Sequence, residues 1–134
     1  MDIRWEGNTR EKRQLEFLLG KCRNEARHDK LYNHLEAVKS YLLVYLIQQN
    51  TITYQIRNSQ VVEGGVEDHL VENCTRCVGE CKEAMRELHK LLRKYEKGGT
   101  DSTDSMDFRV KSTRIIVRLE QNLDRFNQLI NSGA

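Results

Sequence analysis

Three cysteines lie close together in the stretch ENCTRCVGECKEAM, residues 72–85. Cys74, Cys77 and Cys81 follow the spacing i, i+3 and i+7, which brings side chains to one side of a helix. Three thiolates can hold zinc together with a fourth ligand, for which Cys22 is the best candidate, but the second ligand pair typical of a zinc site is missing. The spacing therefore favours buried structural thiols, which behave as small apolar side chains and let another helix approach closely.

Redox and catalytic chemistry have little support in the sequence. The C-x-x-C pair would lie inside a helix, whereas redox-active pairs lie at a helix start beside a strand, and two cysteines on one helix have poor disulfide geometry. The chain contains no P-loop, no G-x-G-x-x-G, no G-x-S-x-G and no H-E-x-x-H motif, and its four histidines are scattered. We therefore predict a protein that is not an enzyme, with no catalytic residue, no metal and no other cofactor.

Composition favours a single helical domain. The 134 residues include 38% hydrophobic and 31% charged residues and no proline, as expected for helices with one buried stripe and one solvated face. The formal charge of +2 does not by itself indicate a polyanionic partner. The longest apolar run, YLLVYLI at 41–47, is much shorter than the roughly 20 residues of a membrane helix, and no signal-like segment opens the chain. We expect a soluble intracellular protein, cytoplasmic or nuclear, without a membrane span.

Apolar residues recur at helical spacing in four segments, about 9–28, 30–58, 66–97 and 105–131. The end of the second segment is open to two interpretations, because Ile52, Tyr54 and Ile56 also alternate like a short strand. The pair Gly64 and Gly65 separates the second and third segments, and GGTDSTDS at 98–105 has the composition of a flexible linker. The prediction is an all-α antiparallel four-helix bundle that forms one domain over residues 1–134.

The run YLLVYLI predicts an interaction surface on the second helix. A helix with one buried stripe needs only about three apolar residues in seven, and here all seven are apolar. Leu43, Val44 and Ile47 fall outside the main stripe and are candidate partner-binding residues, with Trp5 as a further anchor. The alternative is that the third helix or the segment around Trp5 covers them. The leading hypothesis is a non-enzymatic protein–protein interaction and assembly module that self-associates through this second face.

Basic residues support a second hypothesis, binding of double-stranded RNA or DNA through backbone and shape. If the first and fourth helices are adjacent, their basic faces would form a strip that follows a phosphate backbone. Interleaved Glu11, Glu16 and Glu25 weaken such a strip. The candidate nucleic-acid-binding residues are Arg10, Lys12, Arg13, Lys21, Arg23, Arg109, Lys111, Arg114 and Arg118.

Overall fold

The computed structural model describes the backbone of residues 6–63, 68–96 and 102–132, and the side chains within 10–58, 69–96 and 106–131. Four α-helices account for nearly all of these residues: α1 (Glu6–Asn24), α2 (His28–Glu63), α3 (Asp68–Lys94) and α4 (Ser102–Ser132). Helices that follow each other in the chain pack together, and α4 also packs against α1. Within the described ranges, no helix combines the length and apolar character needed to cross a membrane.

Contacts between neighbouring helices show that these helices are antiparallel. Tyr32, near the start of α2, donates its hydroxyl hydrogen to the Leu92 carbonyl near the end of α3, at 3.2 Å. Arg57, near the end of α2, donates to Thr75 Oγ1 near the start of α3, at 3.3 Å. Between α3 and α4 the same order is kept by the ion pairs Glu87–Arg118 and Glu80–Arg125. The predicted all-α antiparallel four-helix bundle is confirmed.

The first helix ends earlier than the predicted residue 28. At Asn24 the last turn tightens, because the Glu25 N–H donates to the Cys22 carbonyl at 3.3 Å. The Glu25 carboxylate then accepts from the Arg27 N–H at 3.3 Å, which fixes a short connection to α2. Ala26, which lies inside the predicted segment 9–28, is therefore exposed in this connection.

The second helix is continuous through the segment that also resembled a strand. Ile52 and Ile56 are buried and lie one turn apart, whereas Tyr54 between them is exposed. This helical spacing explains the alternation without a strand. Near the other end of the bundle, α3 ends at Lys94 rather than at 97, and α4 begins at Ser102 rather than at 105. Residues 102–104 of the predicted linker are therefore helical, and 98–101 lie outside the described residues.

The first helix is much shorter than its neighbours, and this divides the core into two parts. With 19 residues against 36 in α2, α1 spans about 28 Å of the roughly 54 Å length of α2. The upper core, where α1 is present, contains buried residues from all four helices. The lower core has residues from α2, α3 and α4 only: Ile52, Ile56, Leu70, Cys74, Cys77, Phe126 and Ile130. Within the part of the chain that the structure describes, the bundle thus has a four-helix end and a three-helix end.

A buried polar contact joins the three longer helices in the middle of the bundle. Gln49 Nε2 of α2 donates to Asn122 Oδ1 of α4 at 2.9 Å, and Asn122 Nδ2 donates to the Cys77 carbonyl of α3 at 2.8 Å. Both side chains are almost fully buried. A polar pair in an apolar core favours the one register in which its hydrogen bonds form, because any other register leaves polar groups buried without partners.

Candidate functional site

The three residues predicted to bind a partner lie in the exposed middle of α2. Leu43, Val44 and Ile47 retain 51%, 43% and 59% of their accessible surface, although ten other residues of the same helix form a buried stripe opposite them. Their exposure agrees with the sequence prediction, whereas partner binding itself stays a prediction. Trp5 lies outside the described residues.

Two tyrosines extend this surface and were not predicted as part of it. Tyr54 is 62% exposed and follows Ile47 by two turns on the same side of α2, and Tyr41 is 39% exposed. The stretch 40–56 contains no Asp, Glu, Lys or Arg, in a chain with 31% charged residues. This absence of charge was the sequence signal that could have identified the whole surface. We call it the neutral face, formed by the exposed residues Ser40, Tyr41, Leu43, Val44, Ile47, Asn50, Thr51, Tyr54 and Gln55.

Two shallow grooves between α2 and α3 border the neutral face. The upper groove, about 560 Å³ in volume, has Leu43, Met85 and Leu92 among its apolar lining residues. The lower groove, about 540 Å³, lies beside Tyr54 and includes Gly79 of α3. A Cβ placed on Gly79 would meet no atom of the described chain within 4 Å. Because glycine inside a helix costs about 1 kcal/mol relative to alanine, packing within the described bundle does not explain Gly79.

Along α2 itself, charged side chains return at the two ends of the neutral face, and α3 adds Lys82, Arg93 and Glu96 to the bordering grooves. Glu36 and Lys39 precede the neutral face, and Arg57 follows it. Glu36 and Arg57 are exposed, whereas Lys39 is half-buried and its Nζ lies 2.6 Å from Nδ1 of His89 on α3. The neutral face is therefore an uncharged surface with the exposed Glu36 and the half-buried Lys39 at one end and the exposed Arg57 at the other.

The predicted nucleic-acid residues do not form one basic strip. Although α1 and α4 are neighbours, Arg118 of α4 pairs with Glu87 of α3 at 2.7 Å. Lys111 and Arg114 of α4 line a groove against α3 together with Lys90 and Lys94. These three residues of α4 therefore face α3 rather than α1.

Carboxylates also neutralise part of the predicted basic surface. Lys12 pairs with Glu16 at 2.7 Å, and Arg23 of α1 pairs with Glu120 of α4. Lys111 pairs with Asp107 at 3.1 Å. Lys21 lies over the ring of Phe17, and Arg10, Arg13 and Arg114 are exposed while Arg109 is half-buried. The charges of these helices are mixed, which is typical of a solvated surface.

Asp107 is the most perturbed carboxylate at this end of the bundle. The hydroxyl of Tyr95 donates to its Oδ2 at 2.6 Å, and Lys111 and Lys94 lie 3.1 and 3.4 Å from the same oxygen. These donors, the Tyr95 hydroxyl first, lower the pKa of Asp107 to about 2. This carboxylate has a structural role, since it connects the end of α3 to the first turns of α4.

The four cysteines are buried free thiols. Cys22 and Cys81 belong to the upper core, whereas Cys74 and Cys77 belong to the lower core. Among the described residues, no three His, Cys, Asp or Glu side chains are grouped so as to hold a metal ion. Burial raises the pKa of Cys22 and Cys74 to about 11 and that of Cys81 to about 12, and it raises the pKa of Cys77 as well. The arrangement supports the structural interpretation, in which small thiols fill space between helices.

We expect the native protein to be almost inert to Ellman's reagent at pH 8. Only about one thiol in a thousand or fewer is ionised three pH units below its pKa, and helix packing shields the sulfur atoms. All four cysteines should react within minutes in guanidinium chloride. Thr113→Cys, which places one thiol on the exposed surface of α4 away from the neutral face, is the matched positive control and should react at once. Rapid reaction of a native cysteine in the folded wild type would contradict the structural assignment.

No family model, curated protein or solved structure matches this chain.

Proposed function

We propose that this protein is a non-enzymatic helical interaction and assembly module that self-associates through the neutral face of α2. The observation that carries the proposal is the exposure of Leu43, Val44, Ile47 and Tyr54 on a surface without charge. Exposed apolar patches on soluble domains commonly mark binding sites. A surface without ionised groups is also compatible with burial, since no unpaired charge has to leave water.

The exposed apolar residues can supply useful binding energy. Full burial of a Leu, Val or Ile side chain stabilises a structure by about 1.5–3 kcal/mol. Because these residues are about half exposed, burial of the rest of each side chain in an interface would contribute roughly 1 kcal/mol. Among the described residues no other helix covers this surface, since Leu43, Val44 and Ile47 keep 43–59% of their accessible surface. In a symmetric dimer the gain is counted on both copies.

Ile47→Asp tests the proposal. The substitution places a carboxylate in the centre of the neutral face, and its desolvation should weaken self-association at least tenfold, or about 1.4 kcal/mol. Sedimentation equilibrium over a wide concentration range measures the association constant. Circular dichroism should give the same helical content as the wild type, because the position is exposed.

Val110→Asp is the matched control, since Val110 is an exposed apolar residue on α4 with 56% of its surface accessible. This variant should associate like the wild type. A wild type that stays monomeric at all concentrations would refute the proposal. So would unfolding of Ile47→Asp, because Ile47 would then belong to the internal core, covered by another part of its own chain.

Nucleic-acid binding has weaker support. Its candidate residues are divided between the α1 side and the α3 side of the bundle, and four of the nine pair with carboxylates of the same chain. Lys111 and Arg114 do share a groove with Lys90 and Lys94, but Glu87 lines the same groove and Asp107 pairs with Lys94 and Lys111. Self-association through α2 is therefore the function that we put forward.

A further inference from the structure

The charged residues at the two ends of the neutral face bear on how a second copy would lie against it. Glu36 and Arg57 are both exposed, and each borders one of the two grooves between α2 and α3. They are separated by about 31 Å along the helix, at 1.5 Å per residue, with residues 40–56 uncharged between them. The midpoint between them falls beside Ile47, an apolar residue with 59% exposure.

A parallel pair of α2 helices is electrostatically unfavourable. A two-fold axis along the helices would place each residue beside its own copy, so that Glu36 meets Glu36 of the second copy and Arg57 meets Arg57. Like charges that face each other across an interface oppose association. An antiparallel pair reverses one helix, and each Glu36 then lies beside an Arg57.

The upper groove also contains Arg93 and Glu96, two exposed residues of opposite charge, so the remaining described group that opposes the antiparallel arrangement is Lys39. It lies one turn from Glu36 and would come near Arg57 of the second copy. Its amine is directed towards α3, however, where its Nζ lies 2.6 Å from His89 Nδ1, and the residue is half-buried.

Arg57 also reaches towards α3, where it donates to Thr75, but it stays exposed, and Lys82 beside it in the lower groove is basic as well. In the antiparallel pair this basic end lies beside Glu36 and Glu96 of the other copy.

Shape favours the same arrangement. With the two-fold axis at Ile47, Tyr54 of each copy lies opposite Ser40 of the other, at the edge of the upper groove lined by Leu43 and Met85. Tyr54 is the most exposed aromatic residue among the described side chains, and it lies on the same flank of α2 as this groove. A two-fold axis perpendicular to the helices places the α3 side of one α2 next to the α3 side of the other. Each Tyr54 therefore reaches the upper groove of the other copy.

We propose that two copies pair through antiparallel α2 helices about a two-fold axis near Ile47, with Glu36 of each copy beside Arg57 of the other and Tyr54 at the partner's upper groove. This inference rests on the proposed function and specifies its partner and geometry.

Disulfide trapping distinguishes the two orientations. In the antiparallel pair residue 43 lies opposite residue 51, whereas two copies of residue 43 are about 12 Å apart along the axis. A disulfide needs Cα atoms within about 7 Å. Mild oxidation of a mixture of Leu43→Cys and Thr51→Cys should therefore give mainly the mixed dimer, identified by mass, and little of either symmetric dimer. The wild type, whose cysteines are buried, is the background control.

Charge reversal gives a second and independent test. Glu36→Arg and Arg57→Glu should each weaken association several-fold, because each creates two like-charged contacts. The double variant should recover most of the wild-type association constant, since both contacts are again between opposite charges. In a parallel dimer residue 36 faces residue 36 and residue 57 faces residue 57, so each single variant would still have like charges in contact. Neither variant would then weaken association, and the double variant would have no loss to recover.

The outcomes separate the inference from the function on which it rests. Efficient trapping of Leu43→Cys with itself, or no recovery in the charge-reversed double variant, would overturn the antiparallel arrangement while self-association still holds. A monomeric wild type that gives no trapped dimer in any mixture would overturn both.

Discussion

Phe126→Ala should lower the free energy of unfolding by about 3–5 kcal/mol. Phe126 is fully buried in the lower core, which among the described residues is built from α2, α3 and α4. Removal of its ring leaves a cavity that Ile52, Ile56 and Ile130 can fill only in part, and the described residues place no fourth helix beside the lower core that could move inwards. Since domains of this size are stable by about 5–15 kcal/mol, the loss is a large share of the total. Urea denaturation followed by circular dichroism measures it.

Phe17→Ala is the matched control for this prediction. The same side chain is removed, but Phe17 is 59% exposed on α1 and contacts Lys21 through its ring. Its loss should change the free energy of unfolding by no more than about 0.5 kcal/mol. Both variants are compared with the wild type at one protein concentration, because self-association also adds stability. Equal effects of the two substitutions would contradict the described lower core.

Asn122→Ala should destabilise the protein by about 2–4 kcal/mol. The side chain accepts from Gln49 and donates to the Cys77 carbonyl, and both contacts are buried. Its removal breaks two hydrogen bonds and leaves the Gln49 amide without its acceptor, which costs about 1–3 kcal/mol for the unsatisfied group alone. The free energy of unfolding in urea again gives the effect.

A paired replacement separates the polar contact from simple loss of volume. Gln49→Met combined with Asn122→Leu removes both polar groups and keeps similar side-chain size. This double variant should be much more stable than Asn122→Ala, because no buried amide is left without a partner. If it is as unstable as Asn122→Ala, packing rather than hydrogen bonding determines the effect at this position.

These two features also bear on the proposed interface. The polar contact fixes α2 relative to α3 and α4, and the lower core holds the half of α2 that carries Tyr54. The neutral face is consequently presented on a rigid helix. A preorganised surface loses little conformational entropy when it binds.

The sequence by itself determined the helices and the faces that they bury. The buried stripe of α3 could be predicted because buried positions repeat every three to four residues along one helix. Cys74, Cys77 and Cys81 are buried where this spacing places them. The same periodicity predicted that Leu43, Val44 and Ile47 face outwards. Helix ends were harder to predict from the sequence, since the end of α1 depends on the hydrogen bonds of Glu25.

Only the tertiary structure decided how the helices are placed relative to one another. The spacing of Lys111, Arg114 and Arg118 predicts that they flank the buried stripe of α4. It does not predict that this flank faces α3, which is what the structure shows. Gln49 and Asn122 each lie at a buried position of their own helix, seven residues after Leu42 and Ile115, but they are far apart in the chain and no local pattern says that they meet. Periodicity is a property of one helix, whereas the neighbour of each flank is fixed by how all four stripes pack together.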